Sequence, residues 1–446
     1  MEQLLKESIQ DKKFAKTAQL LSQLAAVEAA ELLGDLVDNP TEGLIIFRLL
    51  PKDFSADVFA FLDSDQQENL ASAVSDEELM EIVDELAFDD KIDFIEEMPA
   101  NLVTKILSYS ENKERKLVNQ FLNYPEDSAG SLMTIEYVEL SQNMTAKQAL
   151  DHVRAIGEDM ETIYTLFIKG ANRKLVGVLS LRELVIAKES TLIKDIASDN
   201  VVFVYTTDDQ EDVADIFKRY DFITVPVVDN EQRLVGIITV DDILDVVDVE
   251  NTEDFHKMAA IFPTDEEYGK TSIFKEAKSR FLWLLILMLG ATFTGSIIAH
   301  YEEVLLAAVV LSSFIPMLMD TAGNAGAQSS TVVIRSLSLG TVQPKDLLVI
   351  VWKEMRVSLL VGVALSFINY VRIVYLMGMD PAVGLVVSLT LFLVIVMAKV
   401  LGGILPVIAQ IVGVDPAVMA SPLITTIVDT LALIAYFQIA THLLVI

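Results

Sequence analysis

The sequence lacks cysteine and contains only four histidines. Thiolate zinc sites and disulfide bonds are therefore excluded, and His152, His256, His300 and His442 are too scattered to match the spacing of metal ligands. Basic residues are also scarce, because 33 Lys and Arg stand against 65 Asp and Glu and leave a net charge of −32. So acidic a chain repels the phosphates of nucleic acids, and we expect no nucleic-acid partner.

The charged and apolar residues are distributed unequally along the 446 residues. Before Phe281 lie 27 of the 33 basic and 57 of the 65 acidic residues, which leaves a net charge of −2 for the remainder. The composition therefore predicts an acidic, water-exposed region followed by an apolar one, and it favours cations as partners of the first region. The first 25 residues have no uninterrupted apolar core of the kind found in signal peptides, so we expect the N-terminus to stay in the cytoplasm.

Apolar runs in the second region are long enough to cross a lipid bilayer, since a span needs about 20 apolar residues. The runs that qualify lie at roughly 281–300, 303–323, 347–376, 382–411 and 419–445. Lys and Arg precede the first run and lie between the second and third, whereas Glu302, Glu303 and Asp380 occupy the short turns on the other side. The positive-inside rule then predicts a multi-pass protein of the cell membrane, with cytoplasmic N-terminal domains and an external C-terminus.

A single carboxylate interrupts the last run, "SPLITTIVDTLALIAYFQIATHLLVI". A charge inside a membrane is energetically costly, so Asp429 should face a water-filled path or a partner. Thr425 and Thr426, four and three residues earlier, share its helix face. Carboxylate and hydroxyl oxygens are hard ligands that suit Mg²⁺ or Ca²⁺. The alternative is an aspartate, protonated or paired with Lys399, that only joins helices.

A second polar segment is "IPMLMDTAGNAGAQSSTVVIR", residues 315–335. Its proline, Pro316, and its glycines and alanines predict a helix that is interrupted or loosened. A membrane tolerates such irregular or closely approached backbone only beside protein or a water-filled cavity. Asp320, Asn324 and Gln328 recur every four residues and would form one stripe, which makes them candidates for lining a pore. Close helix packing is an alternative explanation for the glycines.

The water-exposed region contains an internal repeat, since "RKLVGVLSLRELV" (173–185) aligns with "QRLVGIITVDDIL" (232–244). Each copy predicts a strand, a turn and a short helix, and together they resemble a tandem pair of cystathionine-β-synthase (CBS) domains. That resemblance places the pair at 126–249, with copies at about 130–197 and 198–249. It also implies a module of a kind that commonly senses adenosine nucleotides or ions.

Residues 1–125 have apolar side chains at helical spacing, which predicts an all-α superhelical N domain of stacked hairpins. After the CBS pair, "VDDILDVVDVENTEDFHKMAAIF" (240–262) predicts a long acidic helix, and 250–280 would connect it to a transmembrane domain of five helices at 281–446. The acidic residues are either a solvated face or charges that repel until divalent cations bridge them. In the second case, cation binding would shift the population between two arrangements. The predicted fold class is thus a multidomain membrane protein with an α/β module in its water-exposed region.

The chain resembles the MgtE family of magnesium channels and transporters over essentially its whole length. The resemblance rests on this order of domains and on the motifs "MDTAGNAGAQSSTVVIR" and "VDPAVMASPLITTIVDT". The resemblance implies a homodimer that transports Mg²⁺, binds regulatory Mg²⁺ and is not an enzyme, with ATP as a further candidate ligand of the CBS pair. It implies a pore site of Asp429, Ser421 and Thr425, with Asp415 as a carboxylate at the cytoplasmic mouth. The implied sensor residues are Asp89, Asp93, Gly130, Asp209, Glu211, Asp221, Asp242, Asp245, Glu250, Glu253 and Asp254.

Three alternative functions remain open from the sequence. A broader divalent-cation transporter would also carry Co²⁺ or Ca²⁺, because ligand chemistry separates Mg²⁺ from Ca²⁺ poorly. A membrane-anchored CBS protein would sense nucleotides without moving ions. An intramembrane aspartyl protease would use Asp320 and Asp429, but the Gly-x-Gly-Asp segment of such enzymes is absent. Because each chain supplies one such carboxylate to the last span, we favour a symmetric pore in which two copies of Asp429 face each other.

Overall fold

The computed structural model describes residues 4–5, 7–8, 11–37, 40–264 and 271–444. The chain folds into two compact units, Met1–Val247 and Asp248–Ile446. The first unit contains the short helices and both β-sheets, and the second contains the long apolar helices. The predicted fold class is confirmed in its order of parts, whereas the residue boundaries of the domains stay predictions.

The N domain is helical, and its helices are short. They are α1 (Phe14–Leu21), α2 (Ala26–Val37), α3 (Pro40–Phe47), α4 (Lys52–Ala60), α5 (Ser64–Ala73), α6 (Asp76–Glu85), α7 (Phe88–Glu97), α8 (Ala100–Tyr109) and α9 (Asn112–Phe121). Pro51 and Pro99 directly precede α4 and α8, where a missing N–H costs no helical hydrogen bond. Phe59 packs edge-to-face on both Phe47 and Phe94, with ring centroids 6.4 and 5.0 Å apart, and so joins α3, α4 and α7 in one core.

The CBS region forms two three-stranded sheets of identical topology. Its elements are α10 (Ala129–Leu132), β1 (Tyr137–Ser141), α11 (Ala146–Ile156), β2 (Thr162–Lys169), β3 (Leu175–Ser180), α12 (Leu181–Ile186), β4 (Val204–Tyr205), α13 (Gln210–Tyr220), β5 (Thr224–Val228) and β6 (Leu234–Thr239). In each sheet the middle strand pairs parallel with the first and antiparallel with the third. Lys174 pairs with Arg233 across the two copies. These residues hold equivalent places in the sequence repeat, so the copies are related by approximate twofold symmetry.

A long helix, α14 (Val240–Met258), follows the last strand and covers most of the predicted acidic helix. It ends before 262, because Ala260 adopts a left-handed φ of 55° that closes the helix. Residues 265–270 of the predicted connecting segment lie outside the described residues. The helix begins in the first unit and ends in the second, because the boundary between the units lies between Val247 and Asp248.

Within the described residues of the second unit, four segments are long and apolar enough to cross a membrane. These are Ile273–His300, Pro344–Leu376, Pro381–Ile411 and Pro416–Leu444. The helices of this unit are α15 (Ile273–His300), α16 (Glu302–Ala307), α17 (Ile315–Ser338), α18 (Leu347–Val371), α19 (Pro381–Ile411) and α20 (Ser421–Leu444). The four segments correspond to four of the five predicted spans, and residue 445 of the last predicted span is outside the described part of the chain.

The predicted second span, 303–323, is wrong in its boundaries. The chain leaves the helical conformation at Ala308, with φ −139° and ψ 70°, and passes through the 3₁₀ turn Val309–Phe314 before α17 begins. Pro316 stands in the first turn of α17, where proline favours the start of a new helix. The 24 residues of α17 extend about 36 Å at 1.5 Å per residue, which is enough to cross a bilayer, but polar residues lower its hydropathy. The count of five spans therefore stays a prediction.

The predicted interruption of α17 is also wrong, since the helix is continuous through its glycines. Instead, the glycines allow neighbouring helices to approach closely. A Cβ added at Gly323 or Gly326 would lie 2.7 or 2.6 Å from side chains of α20. A Cβ added at Gly402 of α19 would collide with the carbonyl oxygen of Gly326. Close packing, the alternative explanation, accounts for these residues.

We expect Gly402→Ala to destabilise the protein by about 1–3 kcal/mol, because the backbones of α17 and α19 would have to separate. The measurement is the melting temperature in detergent, determined as the temperature at which the monodisperse protein is lost. Gly295→Ala in α15 is the matched control, since nothing lies within 4 Å of a Cβ built there. Equal melting temperatures for the two variants would contradict the close approach.

Candidate functional site

The polar residues of α17 lie on one exposed face of the helix. Asp320, Asn324 and Gln328 are exposed in the single chain, whereas Ala322 and Ala325 are buried on the other side. A surface that faces lipid would not carry a carboxylate and two amides, because hydrocarbon offers these groups no partners. We call these three residues the polar stripe. Its exposure suits contact with water or with a second protein surface.

Asp429 lies in α20, which packs against α17. Its side chain is half-buried, and its Oδ1 atom is buried without a hydrogen-bond partner among the described residues. Asp320 of the polar stripe is near enough to repel it electrostatically. A buried carboxylate oxygen without a partner is costly, so this position attracts a cation or the water around one.

The threonines near this carboxylate donate their hydroxyl hydrogens to the helix backbone. Thr425 and Thr426 both donate to the carbonyl oxygen of Pro422, at 2.9 and 3.1 Å, and Thr430 donates to that of Thr426 at 2.9 Å. Because each hydroxyl hydrogen is used in this way, the oxygen lone pairs remain available to a cation or its water. Ser421 begins α20, and its side chain is outside the part that the structure describes.

In the second unit, the end of α14 contacts the turn that precedes α20. Lys257 Nζ donates to Asp415 Oδ2 and to Glu253 Oε1, both at 2.7 Å, and Asp415 Oδ1 accepts the Ala417 N–H at 2.8 Å. Burial alone would lower the pKa of Lys257, but its two carboxylate partners raise it above the usual value. Burial, followed by the charge of Asp415, raises the pKa of Asp254. These four residues, Glu253, Asp254, Asp415 and Lys257, therefore have more negative than positive charge. We call them the mouth cluster, after the position that the family resemblance implies for Asp415.

A second acidic group lies in the first unit, where α7 meets the start of α14. It contains Asp89, Asp93 and Asp242, which are distant in sequence and are brought together by the fold. Burial, with a smaller effect of neighbouring carboxylates, raises the pKa of Asp93 to about 7. Burial and the nearby charge of Asp89 raise the pKa of Asp242 to about 7. A hydrogen bond from Thr239 has the opposite, smaller effect on this pKa. Asp93 is exposed to solvent, but many protein atoms lie close to its carboxyl group.

The fold adds carboxylates that the sequence analysis did not assign to this acidic group. They are Asp90, Glu136, Glu161 and Asp241. Burial, followed by neighbouring charges, raises the pKa of Glu161 to about 7 and that of Asp90 to about 6. Glu161 donates its N–H to the Glu136 carbonyl at 2.9 Å, because the two residues precede the parallel strands β1 and β2. We call the seven carboxylates the N-domain cluster.

Protonation relieves repulsion within the N-domain cluster. The folded pKa values of about 7 lie above the ordinary values of 3.8 for Asp and 4.5 for Glu, so the folded state holds protons more tightly than the unfolded chain. The resulting stabilisation is complete below about pH 4 and is lost as the pH rises through about 7. At and above neutral pH the cluster is therefore under repulsion that a divalent cation would relieve.

No three His, Asp or Glu side chains among the described residues are placed to hold a metal ion by themselves. Other predicted sensor residues are dispersed along the CBS pair. Asp209 caps α13 by accepting the Glu211 N–H at 2.9 Å. Asp221 ends the same helix, about 18 Å from Asp209 at 1.5 Å per residue. Asp221 is therefore not brought together with the other two.

The remaining predicted residues lie away from the acidic groups or have a packing role. Gly130 donates its N–H to the Thr206 carbonyl at 3.0 Å, and a Cβ there would lie 2.6 Å from the ring of Tyr124. Close packing thus requires glycine at this position. Asp245 is exposed and Glu250 is half-buried along α14.

Lys399 of α19 bonds to α17 and not to Asp429. Its Nζ lies 3.4 Å from Gln328 Oε1 and 3.5 Å from Ser329 Oγ. The alternative in which Lys399 pairs with Asp429 is therefore wrong, and the Oδ1 atom of Asp429 has no hydrogen-bond partner among the described residues. The sequence carries no signal for the contact between Lys399 and Ser329, because the two residues are 70 positions apart in the chain.

Three family models match the chain. They are the MgtE intracellular N domain at 24–127, the CBS domain at 193–249 and MgtE, divalent cation transporter, at 315–439. The chain is also 37% identical over 404 residues to the magnesium transporter MgtE of Thermus thermophilus, which covers 90% of this chain and 89% of that protein. The chain belongs to the MgtE family. The resemblance stated from the motifs is thus confirmed, and members of this family are membrane transporters, not enzymes.

Further comparisons agree with this MgtE assignment. The magnesium transporter MgtE of Bacillus subtilis is 37% identical over 353 residues, with 79% of this chain and 78% of that protein covered. The solved soluble part of a magnesium transporter is 30% identical with a TM-score of 0.52, over 56% of this chain and 97% of that one. The cytosolic domain of the Mg²⁺ channel MgtE in complex with ATP is 34% identical with a TM-score of 0.51, and the match covers 55% of this chain and 100% of that one.

Proposed function

We propose that this MgtE protein is a homodimeric, Mg²⁺-selective channel of the cell membrane that cytosolic Mg²⁺ closes. The observation that supports it most directly is the buried, unpartnered carboxylate oxygen of Asp429 beside Asp320 of the polar stripe. Mg²⁺ loses its water reluctantly and usually keeps several molecules of its shell. The carboxylate and threonine oxygens would therefore accept hydrogen bonds from the bound water of the ion. Such binding is loose enough to let the ion leave again.

The exposure of the polar stripe and the single carboxylate that α20 contributes both support the homodimer. A second copy of α17 and α20 would cover the stripe and place another Asp429 opposite the first. The two charges of the pair match the charge of Mg²⁺. The same arrangement would keep Asp320, Asn324 and Gln328 away from lipid, where polar side chains are costly.

Cytosolic Mg²⁺ would act at the two acidic groups. In the N-domain cluster, Mg²⁺ bound between α7 and the start of α14 would replace the protons that relieve repulsion at low pH. At the mouth cluster, Mg²⁺ would add positive charge that Lys257 alone does not supply. Both effects favour the arrangement in which the acidic elements are close, and a ligand that binds one arrangement better raises its population. We assign that arrangement to the closed channel.

The orientation and the nucleotide also belong to this proposal. The N-terminal domains would lie in the cytoplasm and the C-terminus outside, as the distribution of Lys and Arg favours. ATP is a proposed ligand of the CBS pair, supported by the ATP complex of the similar cytosolic domain. A broader range of divalent cations is the alternative, and it is favoured by the description of the matching family model as a divalent cation transporter.

The test is Mg²⁺ flux through the purified protein in liposomes, with internal and external Mg²⁺ varied independently. We expect rapid uptake when the side bearing the N-terminal domains is free of Mg²⁺, and strong suppression when that side holds millimolar Mg²⁺. Parallel assays with Co²⁺, Ca²⁺ and ATP determine selectivity and the effect of the nucleotide. Nucleotide binding without flux of any cation would instead support the membrane-anchored sensor.

A further inference from the structure

A buried charged network lies directly behind the polar stripe. Lys399 of α19, Ser329 of α17 and Glu354 of α18 are only 6%, 2% and 8% exposed. Lys399 Nζ lies 3.5 Å from Ser329 Oγ and 3.4 Å from Gln328 Oε1, and Ser329 Oγ donates to Glu354 Oε2 at 2.5 Å. One hydroxyl group therefore accepts from an ammonium and donates to a carboxylate.

The two charges of this network balance each other inside the membrane domain. An isolated ammonium or carboxylate at this depth would be costly, whereas two opposite charges joined by a hydroxyl are tolerated. Glu354 is also closely packed, since a Cβ added at Gly403 would lie 3.1 Å from its Cγ. The network thus joins α17, α18 and α19 with little freedom to rearrange.

Lys399 determines which end of the Gln328 amide reaches the polar stripe. An ammonium group has donors and no acceptor, so the amide must offer it the oxygen atom. The amide N–H groups are then left for the exposed face of α17, and N–H groups do not bind cations. Gln328 was predicted as a pore-lining residue, but the contact with Lys399 draws its oxygen, the one atom of the amide that could bind a cation, toward the buried network.

We infer that Lys399 is a positioning residue that weakens cation binding along the polar stripe. It holds the Gln328 oxygen away from the path and places a positive charge behind it, which Glu354 offsets through Ser329. The inference rests on the proposed function, because that function assigns the stripe to the cation path. A transport path requires binding weak enough for release, and this network supplies that weakening.

Two substitutions change the charge balance in opposite directions. Lys399→Met shortens the side chain by one atom, removes the charge and frees the Gln328 oxygen. The KM for Mg²⁺ is therefore expected to fall by about three- to tenfold, with a lower maximal rate because release slows. Glu354→Gln leaves the lysine charge without its counter-charge, and the KM is expected to rise by about the same factor. The double variant should return to within about twofold of the natural KM, because neither charge remains.

The measurement is the initial rate of Mg²⁺ uptake into liposomes as a function of external Mg²⁺, with the internal side free of Mg²⁺. Lys399→Arg retains charge and donors and is expected to keep the KM within about twofold. If Lys399→Met does not fold, Lys399→Gln removes the charge with a polar side chain and is expected to lower the KM as well. A structural role alone predicts lower maximal rates and melting temperatures with an unchanged KM, and that result would overturn the inference. Absence of flux in the natural protein would refute the proposed function instead.

Discussion

Asp429→Asn is expected to reduce Mg²⁺ flux into liposomes by about 100-fold or more. The substitution keeps the volume and removes one negative charge from the position where α20 presents its carboxylate. A unit charge about 4 Å from a unit cation contributes about 4 kcal/mol at an effective dielectric constant of about 20, so its loss exceeds a factor of 100 even after partial compensation by water. The measurement is the initial uptake rate per reconstituted protein, with the internal side free of Mg²⁺.

The control for Asp429→Asn is Asp380→Asn at the start of α19. Asp380 is exposed and accepts the Ala382 N–H at 2.7 Å, and asparagine caps helices equally well, so flux should stay unchanged. The melting temperature separates function from folding. Removing the charge of a buried, unpartnered carboxylate should leave the melting temperature of Asp429→Asn equal or raised. Full flux in this variant would refute the assignment of Asp429 to the path.

Local sequence patterns predicted most of the fold, because helical period and repeated segments are local properties. The CBS repeat is the clearest case, since two aligned segments became two sheets of identical topology. The span at 303–323 was misplaced because its apolar run continues across Ala308, where the backbone leaves the helix. Hydropathy detects the composition of that run but not the break. Pro316 was the available signal, and it marks the start of α17, not an interruption.

The sequence predicted only those groups of candidate site residues that lie on a single helix. Asp320, Asn324 and Gln328 were found because four-residue spacing on one helix fixes one face. The N-domain cluster needed tertiary structure, since Glu136 and Glu161 meet only through the pairing of β1 with β2. Motifs could not predict the network around Lys399 either, because it joins three helices that are far apart in the sequence.

The double variant Asp93→Asn/Asp242→Asn is expected to raise the internal Mg²⁺ concentration needed for half-inhibition by at least about tenfold. These carboxylates lie on α7 and at the start of α14, so their charges are what a bridging cation would neutralise. Loss of about 1.4 kcal/mol in binding already corresponds to a factor of ten, and two carboxylates in a group of like charges contribute at least that much. Flux is measured at stepped internal Mg²⁺ with external Mg²⁺ constant. Exposed Asp84→Asn on α6 is the matched control and should leave inhibition unchanged.

A second measurement on the double variant tests the repulsion itself. Asparagine resembles the protonated carboxyl group, so at pH 8 without Mg²⁺ the variant should protect α7 from hydrogen exchange better than the natural protein does. At pH 5 the difference should become small, because the natural carboxyls with pKa values of about 7 are then protonated too. Mg²⁺ at pH 8 should restore protection in the natural protein and have little effect in the variant. If inhibition by internal Mg²⁺ is unchanged while protection rises, the cluster stabilises the fold without sensing the ion, and the mouth cluster around Asp415 must account for the closure.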